Sequence, residues 1–208
     1  WLVSISLVVI CMLIYEISVS MRTNRLNEEQ RKLAYEATHD SLTGLVNRKS
    51  LQTSINLAID AQRRHGKVAA LLYIDLDNFK PINDNHGHNV GDEVLAIITS
   101  KLVACTRNTD TVARIGGDEF GVLLQNIEDS DVVTTIAKKI LQALHQKITL
   151  RKKTFQVSAS IGIALIPKDG DEVGAIITRA DQAMYEAKKY KNHITFCGNN
   201  ISALTPKD

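Results

Sequence analysis

The stretch that decides the fold is VARIGGDEFGVLL, Val112 to Leu124. Apolar residues recur on both sides of Gly116-Gly117, so it reads as two strands joined by a tight turn, with Asp118 and Glu119 directly behind the glycines. A plain hairpin asks for a turn pair such as Asn-Gly and nothing charged behind it. Taken alone, the stretch is equally a solvated hairpin whose acids aid solubility. The neighbouring sequence decides between that and a built site.

Upstream, VAALLYIDL (Val68 to Leu76) is a continuous apolar run suited to a buried strand, and a helix is expected from Gly91 to about Cys105. Downstream come a helix from Asp131 to about His145 and a hairpin of Ile148–Arg151 with Phe155–Ile166. A helix from Glu172 to about Tyr190 and a short strand, HITF, complete the order. From Val68 this is βαββαβ, the split βαβ arrangement, and the expected fold is α+β: an antiparallel sheet with helices on one face. An amphipathic helix from about Arg48 to Arg64, ended by Gly66, precedes it.

The first strand ends in YIDLDNFK. With a period of two, Asp75 and Asp77 point to one face and Leu76 to the other, which leaves the Leu76 carbonyl available at the strand end. In this topology that strand lies beside the hairpin, so Asp75 converges with Asp118 and Glu119. Crowded carboxylates repel unless a cation joins them, and all-oxygen ligation suits Mg²⁺ or Mn²⁺, whose shell is commonly completed by phosphate oxygens. Asp75 on the partner strand therefore favours a metal site over a solvated turn.

Between these elements lies FKPINDNHGHNVGDEVL. The backbone amides of Asn78, Phe79 and Lys80 leave the strand into a loop and can cradle phosphate, with Lys80 adding charge. Asn83 and Asp92 suit a guanine edge, one donating and the other accepting. His86 and His88, without a third soft ligand, read as structural loop residues.

The composition of the 208 residues is that of a globular chain, 44% hydrophobic and 23% charged, with a formal charge of +2 that leaves no footprint for nucleic acid. Cys11, Cys105 and Cys197 are widely spaced in apolar company and suggest neither disulfides nor zinc. At the N-terminus, WLVSISLVVICMLIY is uncharged, and Arg22, Arg25, Arg31 and Lys32 follow. That pattern predicts the end of a transmembrane helix over 1–20 with its basic flank on the cytoplasmic side. Residues 21–39 predict a helical linker, and Val19, Leu26 and Leu33 recur every seven positions leading into and along it, as in a short coiled coil. A domain over 40–197 and a tail over 198–208 complete the expected organisation.

The motifs DSLTGLVNR, DLDNFKPINDNHGHNVGDEVL, RNTDTVARIGGDEFGVLL, VSASIGIA and ADQAMYEAKKYKN occur in that order. Together they resemble the GGDEF family of diguanylate cyclases over about Asp40 to Phe196. The resemblance implies a ferredoxin-like, palm or nucleotidyl cyclase-like domain that condenses two GTP into cyclic di-GMP and two pyrophosphates. It implies Mg²⁺ (or Mn²⁺) held by Asp75, Asp118 and the Leu76 carbonyl with Glu119 assisting. It also implies that Asp118 takes the ribose proton, that Asn83 and Asp92 read guanine, and that Lys80 and Lys188 meet the phosphates. The two-fold symmetry of the product implies a C₂ homodimer, and the N-terminal segment implies attachment to a bacterial inner membrane with the catalytic domain in the cytoplasm.

Arg107 and Asp110, in RNTD, stand five residues before the signature and match the family's inhibitory RxxD site for product. The chain departs from the family at the end of its last helix, where AKKYKN replaces the common AKxxGRN. Lys191 is then the nearest match to the usual Arg, and a Lys cannot fork onto phosphate as Arg does. Two other readings stand beside the enzyme. One is a degenerate domain that only binds cyclic di-GMP or GTP, although the signature acids are kept. The other is a cyclase making a 3′,5′-cyclic mononucleotide, which the full motif set disfavours.

Overall fold

A computed structural model describes residues 2–198, with the side chains of Met12 and of residues 15–198. The expected tail over 198–208 lies outside the described residues but for Gly198. The chain divides after Thr38 into two units. The first is a single helix, α1 (Leu2–Glu36), on which Val19, Leu26 and Leu33 are all exposed. Among the described residues no helix is long and apolar enough to cross a membrane. The expected transmembrane segment is thus not supported, and most of the apolar run behind that expectation has side chains outside the described set.

The second unit opens with β1 (Val46–Asn47) and α2 (Arg48–His65). Asn47 caps α2 by accepting from Ser50 N at 3.0 Å, and Gly66 ends it at φ +67°, a conformation that costs glycine little. Leu51, Ile55, Ala58 and Ile59, one helical stripe, are buried. Next come β2 (Val68–Asp77), α3 (Lys80–His86), α4 (His88–Cys105), β3 (Thr111–Gly116), β4 (Glu119–Ile127) and α5 (Ser130–His145). Then follow β5 (Ile148–Leu150), β6 (Lys153–Phe155), β7 (Ser158–Ile166), α6 (Val173–Lys188) and β8 (His193–Phe196).

Among the described residues the main sheet has six strands in the order β1-β3-β4-β2-β7-β8. Its four inner strands are antiparallel and carry the expected βαββαβ connection. The two edges are parallel additions, β1 on β3 and β8 on β7, so the sheet is mixed rather than purely antiparallel. The helices also cover both faces, not one. The reason lies in β2, which is apolar on both sides: Ala70, Leu72, Ile74 and Leu76 enter a core shared with α4 and α5, while Ala69, Leu71 and Tyr73 enter another with α2 and α6. At Gly162 of β7 an added Cβ would lie 2.1 Å from both Ala180 O and Met184 N, so α6 rests directly on strand backbone.

Two local expectations change. The segment from Lys80 to Val90 is not a loop, because α3 starts with Pro81 in its first turn and α4 begins at His88, three residues before Gly91. The strand from Phe155 to Ile166 does not pair with Ile148–Arg151 along its length. Instead β5 and β6 form a separate hairpin around Arg151 (φ +48°) and Lys152 (φ +64°), and β7 joins the sheet against β2 over nine residue pairs. Consecutive positive φ values mark the tight turn whose twist suits a two-residue hairpin.

Candidate active site

The site forms where β2 runs out of the sheet. Asp75, Leu76, Asp77, Asn78, Phe79, Lys80, Asp118, Lys188 and Lys191 line a cavity of about 270 Å³. This brings together the expected Asp75, Leu76 and Asp118 with Asn78, Phe79, Lys80, Lys188 and Lys191. Leu76 N donates to Asp118 O at 3.2 Å, which ties the strand end to the glycine turn. A strand residue's N–H and C=O point to the same side, so the Leu76 carbonyl faces that turn. Gly117 sits at φ +49°, and a Cβ added at Gly116 or Gly117 would meet nothing within 4 Å, so the turn leaves its backbone open to a ligand.

Asp75 is buried, 5% exposed. Its Oδ2 accepts from Lys188 Nζ at 2.9 Å, whereas Oδ1 is buried without a partner among the described residues. Burial pushes its carboxyl up to about 6, against the lowering bond from Lys188 and with added repulsion from Asp118 and Glu119. Burial alone would lower Lys188, but the bond to Asp75 outweighs it and holds the ammonium above its ordinary value. Lys191 reaches the same edge, donating to Asn78 Oδ1 at 3.1 Å.

Glu119 has a partner of its own. It pairs across the strands with Asp75, but its Oε2 accepts from Tyr73 OH at 3.1 Å, and it does not line the cavity. Burial, then the facing Glu119, pushes the Tyr73 phenol up, so this bond holds as a neutral donor to a carboxylate. Among the described residues no three His, Cys, Asp or Glu side chains gather closely enough to hold a metal. What is present is a two-carboxylate site, Asp75 with Asp118, plus a carbonyl. That donor set and the orphaned Asp75 Oδ1 fit a hard cation such as Mg²⁺, which takes one or two carboxylates and completes its shell with water and phosphate.

Asn83, in α3, lies against Gly91 of α4: a Cβ added at Gly91 would fall 1.9 Å from Asn83 Oδ1. Asp92, the next residue, is exposed, so the expected pair shares one helix junction. Arg107 and Asp110 also come together. Asp110 Oδ2 accepts from Arg107 N at 2.8 Å and Oδ1 from Gln125 N at 3.3 Å, which leaves the exposed Arg107 side chain at the mouth of a cavity of about 290 Å³.

Two residues with structural claims on the site have no role assigned from the sequence. Arg114 donates from Nε and Nη2 to Gly117 O, at 3.1 and 2.8 Å, and from Nη1 to Asp40 at 3.1 Å. Asp40 also accepts from Thr43 N and Oγ1; burial works to raise its carboxyl, but these bonds and Arg114 together hold it below its usual value. The glycine turn is therefore fastened to the start of the domain. The second is Asp77, whose carboxylate accepts from Ser158, Ser160 and the backbone of Asn192.

A palm-like sheet that ends in two converging acids, ringed by lysines and opening on a glycine turn, belongs to the nucleotidyl cyclase class of folds. The family profile described as "Diguanylate cyclase, GGDEF domain" matches residues 37–193. The chain belongs to the GGDEF diguanylate cyclase family.

The diguanylate cyclase TpbB of Pseudomonas aeruginosa is 41% identical over 166 residues, 79% of this chain and 38% of that protein. The structure of its GGDEF domain is similar with a TM-score of 0.74 at 38% identity, covering 76% of this chain and 94% of that one. The bifunctional diguanylate cyclase/cyclic di-GMP phosphodiesterase MucR of the same organism is 37% identical over 189 residues, 90% of this chain and 27% of that protein. The coiled coil and GGDEF domain of DgcB from Caulobacter crescentus, in complex with c-di-GMP, gives a TM-score of 0.75 at 27% identity over 86% of this chain and 95% of that one. The chain thus spans well under half the length of the two curated relatives.

Proposed function

We propose that this chain is a working diguanylate cyclase: it condenses two GTP into cyclic di-GMP with release of two pyrophosphates. The observation that carries this is the cavity where Asp75 and Asp118 converge with Lys80, Lys188 and Lys191. Two acids can share a divalent cation, and three ammonium groups can balance a triphosphate. Bound there, Mg²⁺ or Mn²⁺ would lower the charge on the attacking and leaving oxygens. Asp75, Asp118 and the Leu76 carbonyl would hold it, with Glu119, whose Oε2 accepts from Tyr73, assisting.

In this scheme Asn83 and Asp92 read the guanine edge, and Lys80 with the amides of Asn78 and Phe79 binds phosphate. Lys188 and Lys191 neutralise the triphosphate from the opposite rim. Asp118 accepts the proton of the ribose 3′-hydroxyl, whose oxygen then attacks the α-phosphorus of the GTP held by a second copy as pyrophosphate leaves. Each copy supplies half of a two-fold symmetric reaction, hence a C₂ homodimer. The stripe of Val19, Leu26 and Leu33 on α1, exposed in one copy, supports a helix-to-helix contact as the means of pairing.

Two further assignments belong to the same proposal. Arg107 and Asp110 form a product-inhibition site, supported by the cavity they border and by chemistry suited to phosphate and guanine. The uncharged run from Trp1 to Tyr15 and the basic residues from Arg22 onward support an anchor in the inner membrane with the catalytic domain in the cytoplasm.

The deciding experiment incubates the protein with GTP and Mg²⁺ and analyses products by mass spectrometry, with Asp118→Ala beside it. Cyclic di-GMP from the parent alone is expected. A dimeric parent that binds GTP and makes none would establish the receptor reading instead.

A further inference from the structure

Asp77 lies two residues beyond Asp75 on the same face of β2, and no step above uses it. It is 4% exposed. Its Oδ1 accepts from Ser160 Oγ at 2.8 Å, and its Oδ2 from Ser158 Oγ at 2.8 Å and Asn192 N at 2.9 Å. Both oxygens are thus committed to donors from β7 and from the turn between α6 and β8. That makes Asp77 a poor candidate for metal ligation, although it shares a strand end with Asp75.

The turn it grips is unusual in its backbone. Lys191 (φ +51°) and Asn192 (φ +47°) are consecutive left-handed residues, and neither is glycine. Such conformations are unfavourable for residues with a Cβ and persist where surrounding contacts over-determine them. The bond from Asn192 N to Asp77 is such a contact, and it fixes the residue next to Lys191. With the turn held in this way, Lys191 Nζ reaches Asn78 Oδ1 across the rim of the cavity.

We propose that Asp77 is a positioning residue for triphosphate binding, pinning the Lys191–Asn192 turn so that Lys191 presents its ammonium to the cavity. In this chain the helix end is short and lacks a glycine, so the turn depends on an outside acceptor rather than on a permissive residue. The inference rests on the triphosphate reading of the cavity.

The test measures equilibrium binding of α,β-methylene GTP with Mg²⁺ to the parent, Asp77→Ala, Lys191→Met and the double variant, together with steady-state GTP turnover. Each single change is expected to weaken binding and raise KM about tenfold, the worth of one charge-assisted hydrogen bond. The double variant should be no worse than either alone, because Asp77 acts through Lys191. For Asp77→Ala, turnover at saturating GTP should change less than about threefold, because the change acts on binding and not on the reacting atoms. Adding Asn192→Gly to Asp77→Ala should restore most of the binding, since glycine takes a positive φ without an outside clamp.

Should Asp77→Ala not fold, Asp77→Glu keeps the charge and shifts the acceptor by one methylene, and the same non-additivity with Lys191→Met is expected. Losses that multiply in the double variant, or Asp77 variants that bind like the parent, would overturn the inference alone. A parent that does not bind the analogue would overturn the triphosphate reading and the inference with it.

Discussion

Lys188 Nζ stands 2.9 Å from Oδ2 of Asp75, while Oδ1 of the same carboxylate is buried with no partner. One oxygen is satisfied by the protein's own cation, and the other has no donor among the described residues. Lys188→Met leaves Asp75 without a counter-ion, and a loss of about 1 kcal/mol in unfolding free energy is expected. Asp75's folded value, about 6, lies above its unfolded one, so its proton stabilises the fold at low pH and that contribution is lost as pH rises through about 6. Removing Lys188 raises the value further. The gap between parent and variant should therefore be widest near pH 8 and narrow below about 6, as read from thermal unfolding. A gap that widens on acidification would reject the pairing.

Arg114 fastens the glycine turn to Asp40 with a planar fork that a lysine cannot copy. Arg114→Lys is expected to cost about 2 kcal/mol in unfolding free energy. Turnover should fall about tenfold or more, because the Gly117 carbonyl next to Asp118 loses its fixed place. Denaturant titration and product formation measure both. An unchanged turnover would assign Arg114 to stability alone.

Gly91→Ala tests the guanine assignment without touching a polar group. The new Cβ would displace the side chain of Asn83, a movable end rather than backbone, so the helix should persist. Alanine within a helix is favoured over glycine by up to about 1 kcal/mol, so the melting temperature should hold or rise. GTP affinity should fall about tenfold, with less discrimination against ATP, as one guanine contact is lost. Equal affinities in parent and variant would move guanine away from Asn83.

His193 opens β8 and is 5% exposed, and burial pushes its imidazole below the ordinary value. The unfolded chain takes up this proton first, so the stability it contributes is present above about pH 6.5 and is lost as pH falls through the lowered folded value. Asp75 acts with the opposite sign between about 4 and 6, which makes the comparison with a variant necessary. His193→Gln should flatten the fall in melting temperature between about pH 7.5 and about pH 5.5. Parallel curves for the two proteins would exclude His193 as the group responsible.

Leu26 and Leu33 are 52% and 65% exposed on α1. Changing both to Asp should shift the protein from dimer to monomer in sedimentation, and reduce cyclic di-GMP formation in proportion. A double variant that dimerises and turns over like the parent would separate pairing from this helix.

The sequence made the middle of the domain legible because its signals are local. The apolar run of β2, the cap of α2 at Gly66 and the glycine turn before Asp118 each declare themselves within a few residues. The convergence of Asp75 and Asp118 followed from a period of two and a known strand order. What stayed hidden depends on distant partners. Asp77 is defined by residues 81 to 115 positions away, and Arg114 by one 74 positions away, so neither shows a local pattern. The β5–β6 hairpin was misjudged for the same reason, since β7 is claimed by β2 and not by its nearest neighbour. Glu119 reads like a ligand beside Asp118, and only the fold reveals Tyr73 holding it.

The contact at Gly162 has a mechanical consequence. With no side chain between Gly162 and the backbone of Ala180 and Met184, α6 has no compliant layer beneath it at this point. Lys188 is one turn beyond Met184, so the cation beside Asp75 owes its anchorage to a residue that has no side chain. A side chain in place of that hydrogen would lift the helix off the sheet and carry the ammonium away from Asp75.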